Sequence, residues 1–288
     1  MKLKLPLKQL IIRPIRLQGD SKQITMLKYF VALFILTLAL SSCKKETSKL
    51  EASSFLDVEE KNMAVAAKLT ATWCEPCGGW GFDFFASLKD DYKDKAVFMA
   101  FTHSLSDVAP QGDEFFVRVN QLFSIGGGTP RFFYNFDTIY GVNHAGASGI
   151  LQHIESEVIA SSNYEYTLSD DKIHLKTTTK FFKSQEGDFM ISPFLIIDNQ
   201  EGPQLGRADS PNTVHSAVVA ELAHPINSEV LDLWAYKVAS GKVKKGYQIN
   251  LEFETARDPL WTEDDISFAL VLYKRVGNKY KFVNAFTK

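Results

Sequence analysis

The sequence predicts an α/β domain over residues 58–161, followed by an all-β domain of antiparallel-sandwich type over residues 162–288. Three observations carry this. An apolar run of strand length, residues 64–70 (AVAAKLT), delivers the chain into a Cys-x-x-Cys that opens a helical pattern. A second run, residues 96–102 (AVFMAFT), reads as a buried parallel strand. From Tyr164 onward hydrophobic and polar residues alternate with period two, the signature of strands with one buried face. With 45% hydrophobic and 23% charged residues in 288, the composition excludes a disordered tail protein and a polytopic membrane protein. The 32 basic residues nearly balance the 34 acidic ones, so the basic footprint of a nucleic-acid binder is absent and nucleic acid is not an expected partner.

A targeting segment precedes these domains. Residues 29–40 read YFVALFILTLAL, twelve without a charge, with Lys28 before them and Ser41 and Ser42 after. That is a signal-peptide profile, too short for a spanning helix of about 20 residues and without the polar interruptions of a surface helix. Met26 lies at the usual distance from such a stretch, so residues 1–25 read as a mis-assigned extension of a 1–42 signal peptide. Leu40-Ser41-Ser42-Cys43 resembles the lipobox of bacterial lipoproteins, which implies lipidation of Cys43 and a membrane anchor. Seven basic residues but one acidic residue precede Cys43, so the chain from Cys43 has a net charge of about −8 and would not adhere to anionic lipid by charge. Its attachment then rests on the acyl chains. Residues 43–57 are polar and lack sustained periodicity, as in a tether.

The chemistry concentrates at Trp73-Cys74-Glu75-Pro76-Cys77. Beyond it Trp80, Phe84, Leu88 and Tyr92 recur every four residues, the spacing of one helical face. A cysteine at a helix start is stabilised as thiolate by free backbone N–H groups and the helix dipole, and the thiolate is the species that attacks a disulfide. Pro76 suits the first turn, where no donor is required. Cys74 is thus the attacking and Cys77 the resolving sulfur. A zinc site would need a second cysteine pair or a histidine pair at finger spacing, and neither occurs; a purely structural disulfide stays open. No metal and no cofactor is expected.

The WCxPC motif resembles the active site of the thioredoxin superfamily, and its form with glutamate is similar to membrane-anchored extracytoplasmic reductases of the TlpA/ResA type. That resemblance implies a cis-proline facing the disulfide just before a hairpin. Thr129-Pro130 fits, followed by aromatic-rich strands over 131–134 and 138–140; an ordinary trans proline is the alternative. The family also carries a buried acid six residues before the first cysteine, where this chain has Lys68. If Lys68 points under the disulfide, desolvation lowers its pKa while any retained charge favours thiolates; otherwise it faces the strand edge or solvent. Glu75 acts oppositely, since a carboxylate beside Cys74 disfavours the thiolate. Gly78, Gly79 and Gly81 cost helix stability, at about 1 kcal/mol each against alanine. They either admit a partner's backbone to the disulfide or fray the helix.

The remaining elements follow in order. Residues 114–123 read as a helix with Phe115, Val119, Leu122 and Phe123 on one side. Ile150, Leu151, Ile154, Val158 and Ile159 predict a last helix with Ser148 as N-cap. Strands are expected over 164–169, 172–182, 189–198, 213–223, 230–238, 247–254, 266–275 and 279–286, with turns around 170–171, 198–202, 240–241 and 277–278. The run ISFALVLY, the Gly277-Asn278 hairpin and the closing KYKFVNAF resemble the C-terminal end of Bacteroidetes outer-membrane-protein-28-like lipoproteins. The six histidines show no metal spacing, and only His103, at the end of the second strand, is placed to approach the active face. Two functions remain. One is a lipid-anchored thiol-disulfide oxidoreductase in the cell envelope, at the outer membrane, exchanging electrons with exported protein thiols and disulfides and an unidentified redox partner. The other is an envelope binding lipoprotein in which the thioredoxin fold is mainly a scaffold.

Overall fold

The computed structural model describes residues 54–105, 109–125, 128–136, 138–140, 147–226 and 234–288. The leader, Cys43 and most of the expected tether lie outside them. The first half runs β1 (Ala64–Ala71), a one-turn helix α1 (Glu75–Gly78), α2 (Trp80–Tyr92), β2 (Ala96–His103), α3 (Gly112–Phe123), β3 (Arg131–Tyr134), β4 (Thr138–Tyr140) and α4 (Ser148–Ile154). The second half runs β5 (Ala160–Leu168), β6 (Lys172–Phe181), β7 (Asp188–Ile197), β8 (Val218–Leu222), β9 (Tyr236–Ala239), β10 (Gln248–Ala256), β11 (Ile266–Val276) and β12 (Lys279–Phe286).

Among the described residues, strands of both halves build one mixed sheet in the order β12-β11-β7-β8-β2-β1-β3-β4, with β9 beside β8 on the same edge of β7. A single row of paired residues crosses it: Phe132 opposes Lys68, Lys68 opposes Ala100, Ala100 opposes Val218, Val218 opposes Ile197, and Ile197 opposes Ile266. Paired residues share a face, so the face that carries α2 over Lys68 continues into the second half. There it is covered by a four-stranded antiparallel sheet of β5, β6, β10 and the short segment His224–Pro225. Ile173, Leu175 and Phe253 of that sheet pack with Leu195, Ile197, Phe268 and Leu270. On the opposite face Phe101, Phe115, Phe123, Phe136, Phe194 and Trp234 form an aromatic core with ring centroids 4.8–6.4 Å apart.

The second half therefore differs from the expected free-standing sandwich. Two β layers do pack face to face, but one of them is the sheet that β1–β4 begin. The physical reason is burial on both faces: β7 and β11 are apolar on successive residues rather than alternate ones, as strands covered on each side must be.

Several element limits shift for local reasons. The helix expected to reach Ile159 stops at Ile154, because Asn62 donates to the carbonyls of His153 (3.2 Å) and Ser156 (2.9 Å), and the Ile159 carbonyl accepts from Phe182 N–H (2.9 Å). Ala147 rather than Ser148 stands at its N-cap, with no side-chain capping bond. The strand expected over 213–223 breaks at Ser216 and Ala217, the latter at φ 56°, into Thr213–His215, paired with Gln200–Gly202, and β8. Of the strand expected over 230–238, the described part is β9.

Asn284 of β12 ties the last strand to the segment that leads into β1. Its side chain accepts from Met63 N–H (2.9 Å) and donates to the carbonyls of Lys61 (2.9 Å) and Ala160 (2.8 Å), fully buried. Asn284→Ala leaves a buried donor and two carbonyls unpaired, and is expected to destabilise the protein by about 3 kcal/mol. Urea denaturation measures this; a loss under about 0.5 kcal/mol, the scale of ordinary surface substitutions, would refute the role.

Candidate redox site

β1 ends at Ala71 and hands the chain to Trp73-Cys74-Glu75-Pro76-Cys77 at the end of the β1-β2 pair. Cys74 and Cys77 are joined, with S–S 2.09 Å and Cα atoms 5.2 Å apart. Both are buried, at 5% and 1% exposure, whereas Trp73 is 58% exposed and Glu75 and Pro76 face solvent. Cys74 is the N-cap of α1, Pro76 sits in its first turn, and the Cys77 N–H donates to Cys74 Sγ at 3.2 Å.

The continuous helix implied by the four-residue periodicity is interrupted. Gly79, at ψ −118°, separates the one-turn α1 from α2. The macrodipole of the longer helix therefore does not run straight to Cys74, and the local Cys77 N–H is the donor that reaches its sulfur. The break also turns the buried face, so Gly81, Phe85 and Leu88 point inward while Trp80 is 40% exposed.

Pro130 lies beside this turn, in a cis Thr129-Pro130 peptide at the head of β3, with both residues half-buried. A Cβ on Gly81 would lie 2.8 Å from Pro130 Cγ, so glycine is what admits the proline ring there. His103 also approaches: its ring centroid is 6.1 Å from that of Trp73, and its Nδ1 is 2.6 Å from Ser104 Oγ.

Lys68 points under α2, away from the strand edge and solvent. It is 6% exposed, with Nζ 4.4 Å from the Phe85 ring centroid and 5.1 Å from that of Phe82. It lines a cavity of about 230 Å³ with Phe82, Phe85, Lys89, Asp90 and Ser216. Burial, and secondarily the charge of Lys89, lower its pKa from 10.5 to about 7. His215, edge-on to Phe82 at 6.3 Å, is likewise held below the usual imidazole range, by burial first and then by Lys68.

Sequence reasoning missed the part of the site supplied by the second half. Between Gln200–Gly202 and Thr213–His215 the chain doubles back, and Gln204 and Leu205 lie against the disulfide turn. The Leu205 N–H donates to the Thr72 carbonyl (2.7 Å). The buried Gln204 side-chain amide donates among the carbonyls of Ala71 (3.1 Å), Thr72 (3.4 Å), Cys74 (3.3 Å) and Leu205 (3.2 Å). Arg207 covers the Phe82 ring at 4.6 Å and meets Asp83 at 3.3 Å. A Cβ on Gly78 would lie 2.1 Å from the Leu205 carbonyl oxygen, so this glycine admits a backbone from its own chain. Gly206, at φ 88°, comes equally close to the Glu75 carbonyl. The available signal was a stretch of ten residues, 203–212, with two prolines, a glycine and no period, since binding and catalytic residues are disproportionately carried on loops.

Among the described residues there is no cluster of His, Cys, Asp and Glu able to hold a metal ion, and no helix long and apolar enough to cross a membrane. No protein-family model and no curated protein matches the sequence. Of the solved structures, the chain is similar to HBP35 of Porphyromonas gingivalis, at 17% identity and a TM-score of 0.60, over 81% of this chain and 76% of that one. A domain of the outer membrane lipoprotein Omp28 from the same organism aligns at 10% identity over 45% of this chain and 86% of that one, but its TM-score of 0.27 carries no argument. The order β2-β1-β3-β4, with α2 on one face and the Phe115-bearing α3 on the other, is the thioredoxin-like arrangement, here extended by strands of the second half.

Proposed function

We propose that this chain is a lipid-anchored thiol-disulfide oxidoreductase of the cell envelope, of the TlpA/ResA kind, that acts as reductase or isomerase on exported proteins. The observation that carries this reading is the Cys74–Cys77 disulfide at the head of a helical turn, with the Cys77 N–H directed at Cys74 Sγ. Anchoring through Cys43, at the outer membrane, belongs to the same proposal.

In the reducing direction the Cys74 thiolate attacks one sulfur of a client disulfide, forming a mixed disulfide and releasing the other client sulfur as thiolate. Cys77, deprotonated, then attacks Cys74 Sγ and releases the second client thiolate. The client has gained two electrons, and the pair has closed into the disulfide described above. An envelope thiol donor must return those two electrons, which makes such a donor the implied redox partner.

One observation favours a second reading, a binding lipoprotein with the fold as scaffold: both sulfurs are nearly closed off from solvent. A trapping experiment separates the two. Cys77→Ala leaves the attacking sulfur without its resolving partner, so mixed disulfides with exported proteins should accumulate in cells and vanish on treatment with dithiothreitol. Recovery of Cys77→Ala with Cys74 wholly unconjugated would refute the oxidoreductase.

A further inference from the structure

We infer that Gln204, carried on the strap formed by residues 203–207, is a positioning residue for the Cys74/Cys77 pair: it holds the disulfide loop and favours the Cys74 thiolate. The inference rests on the redox reading above and deepens it, since it places a determinant of the site's poise in the second half of the chain.

The oxygens of Ala71, Thr72 and Cys74 gather at the turn where the thiolate charge forms on reduction, and each is the negative end of a peptide dipole. Each accepts one or two backbone N–H groups, from Cys74 at Ala71, Leu205 at Thr72, and Cys77 and Gly78 at Cys74, and in a buried site a further donor weakens their opposition to that charge. Gln204 covers them with the two hydrogens of one amide, and the Leu205 N–H adds a backbone donor to Thr72. An amide suits this task because it supplies donors without a net charge of its own. An aliphatic side chain would withdraw this added donor and leave each carbonyl only its backbone partner, and a carboxylate would repel them.

The seat of the strap is built from both sides. Gly78 makes room for the Leu205 carbonyl and Gly206 for the Glu75 carbonyl, while Arg207 fastens the far end on Phe82 and Asp83. A side chain at either glycine drives the strap off: at Gly78 its Cβ would meet the Leu205 carbonyl and, at 3.0 Å, Gln204 Cγ, and at Gly206 the Glu75 carbonyl at 2.3 Å.

The test is the thiol-disulfide equilibrium of the purified protein with glutathione, together with the pH dependence of iodoacetamide alkylation at Cys74 in the reduced state. Lys68 on β1, Glu75 on α1, Asp83 and Lys89 on α2, His103 on β2, Arg131 on β3, and Arg207, Asp209 and His215 on the strap and its flank are unchanged in the Gln204→Leu variant. That variant should alkylate with a midpoint at higher pH. It should also be about tenfold more reducing against glutathione, about 30 mV for a two-electron couple. Gly78→Ala should shift both readouts in the same direction, and trypsin should then cut at Arg207 faster than in wild type. Coupling is reciprocal, so in the wild-type protein above the Cys74 midpoint, reduction should slow hydrogen exchange of the Leu205 amide by a similar factor. That measurement needs no variant to fold. Failure of the wild-type pair to exchange with glutathione would overturn the redox reading and this inference together. A wild type that exchanges, with both variants within twofold of it or with Leu205 exchange unaffected by reduction, would overturn this inference alone.

Discussion

Lys68→Met is expected to stabilise the protein strongly, and by an amount that depends on pH. The Lys68 amine has a pKa of about 7 in the fold and 10.5 when unfolded, because burial under α2 removes its hydration. With a tenfold change in a protonation equilibrium worth about 1.4 kcal/mol, keeping that ammonium charged in its site costs on the order of 5 kcal/mol. Between pH 7 and 10.5 the unfolded chain binds this proton and the native chain does not, so wild-type stability rises with pH across that window. Below pH 7 both states are protonated and the cost is fully present. The advantage of methionine, which fits the Phe82 and Phe85 rings without a charge, should therefore be largest and constant below pH 7 and shrink towards pH 10.5. Urea denaturation of both proteins at pH 6, 8 and 10 measures this. Equal stability differences at pH 6 and pH 10 would show that the amine is not desolvated.

Cys74→Ser carries the largest expected effect on activity. A hydroxyl does not ionise in the range where a thiol does, and it cannot form a mixed disulfide, so exchange should fall by at least about a thousandfold, the scale of losing a nucleophile. The reduction of a model protein disulfide by dithiothreitol, with catalytic amounts of the protein added, gives the rate. Cys77→Ala, reduced, freed of dithiothreitol and mixed with the same protein disulfide, should make a single round of attack and then arrest as the mixed disulfide. If Cys74→Ser retained more than a tenth of the wild-type rate, Cys74 would not be the attacking sulfur.

The chain of inference from sequence reached those features that depend on residues near one another. The strand, turn and helix around Cys74 and Cys77 follow from a short apolar run, a proline at the first turn and a helical period, all within thirty residues. The hairpin of β3 and β4 and the strands β6, β10, β11 and β12 likewise announce themselves by composition and alternation. What sequence reasoning could not place were contacts across long separations. Lys68 had two possible directions, and which one it takes was decided by Phe82 and Phe85 on α2 packing over its face of the sheet.

The same limit hid the larger architecture. The apolar runs of β7 and β11 announce strands but not their neighbours, and only the pairing of Val218 with Ala100 shows that the second half continues the sheet of the first. Gly78 had two readings, room for a partner's backbone or a frayed helix, and neither foresaw that Leu205 of the same chain fills the space from 127 positions along. Local sequence determined the dithiol and the turn that presents it, because backbone propensity and helical spacing act over a few residues. The tertiary structure decided what surrounds the sulfurs, because burial and hydrogen-bond satisfaction are settled by whichever distant groups the shared sheet brings to the site.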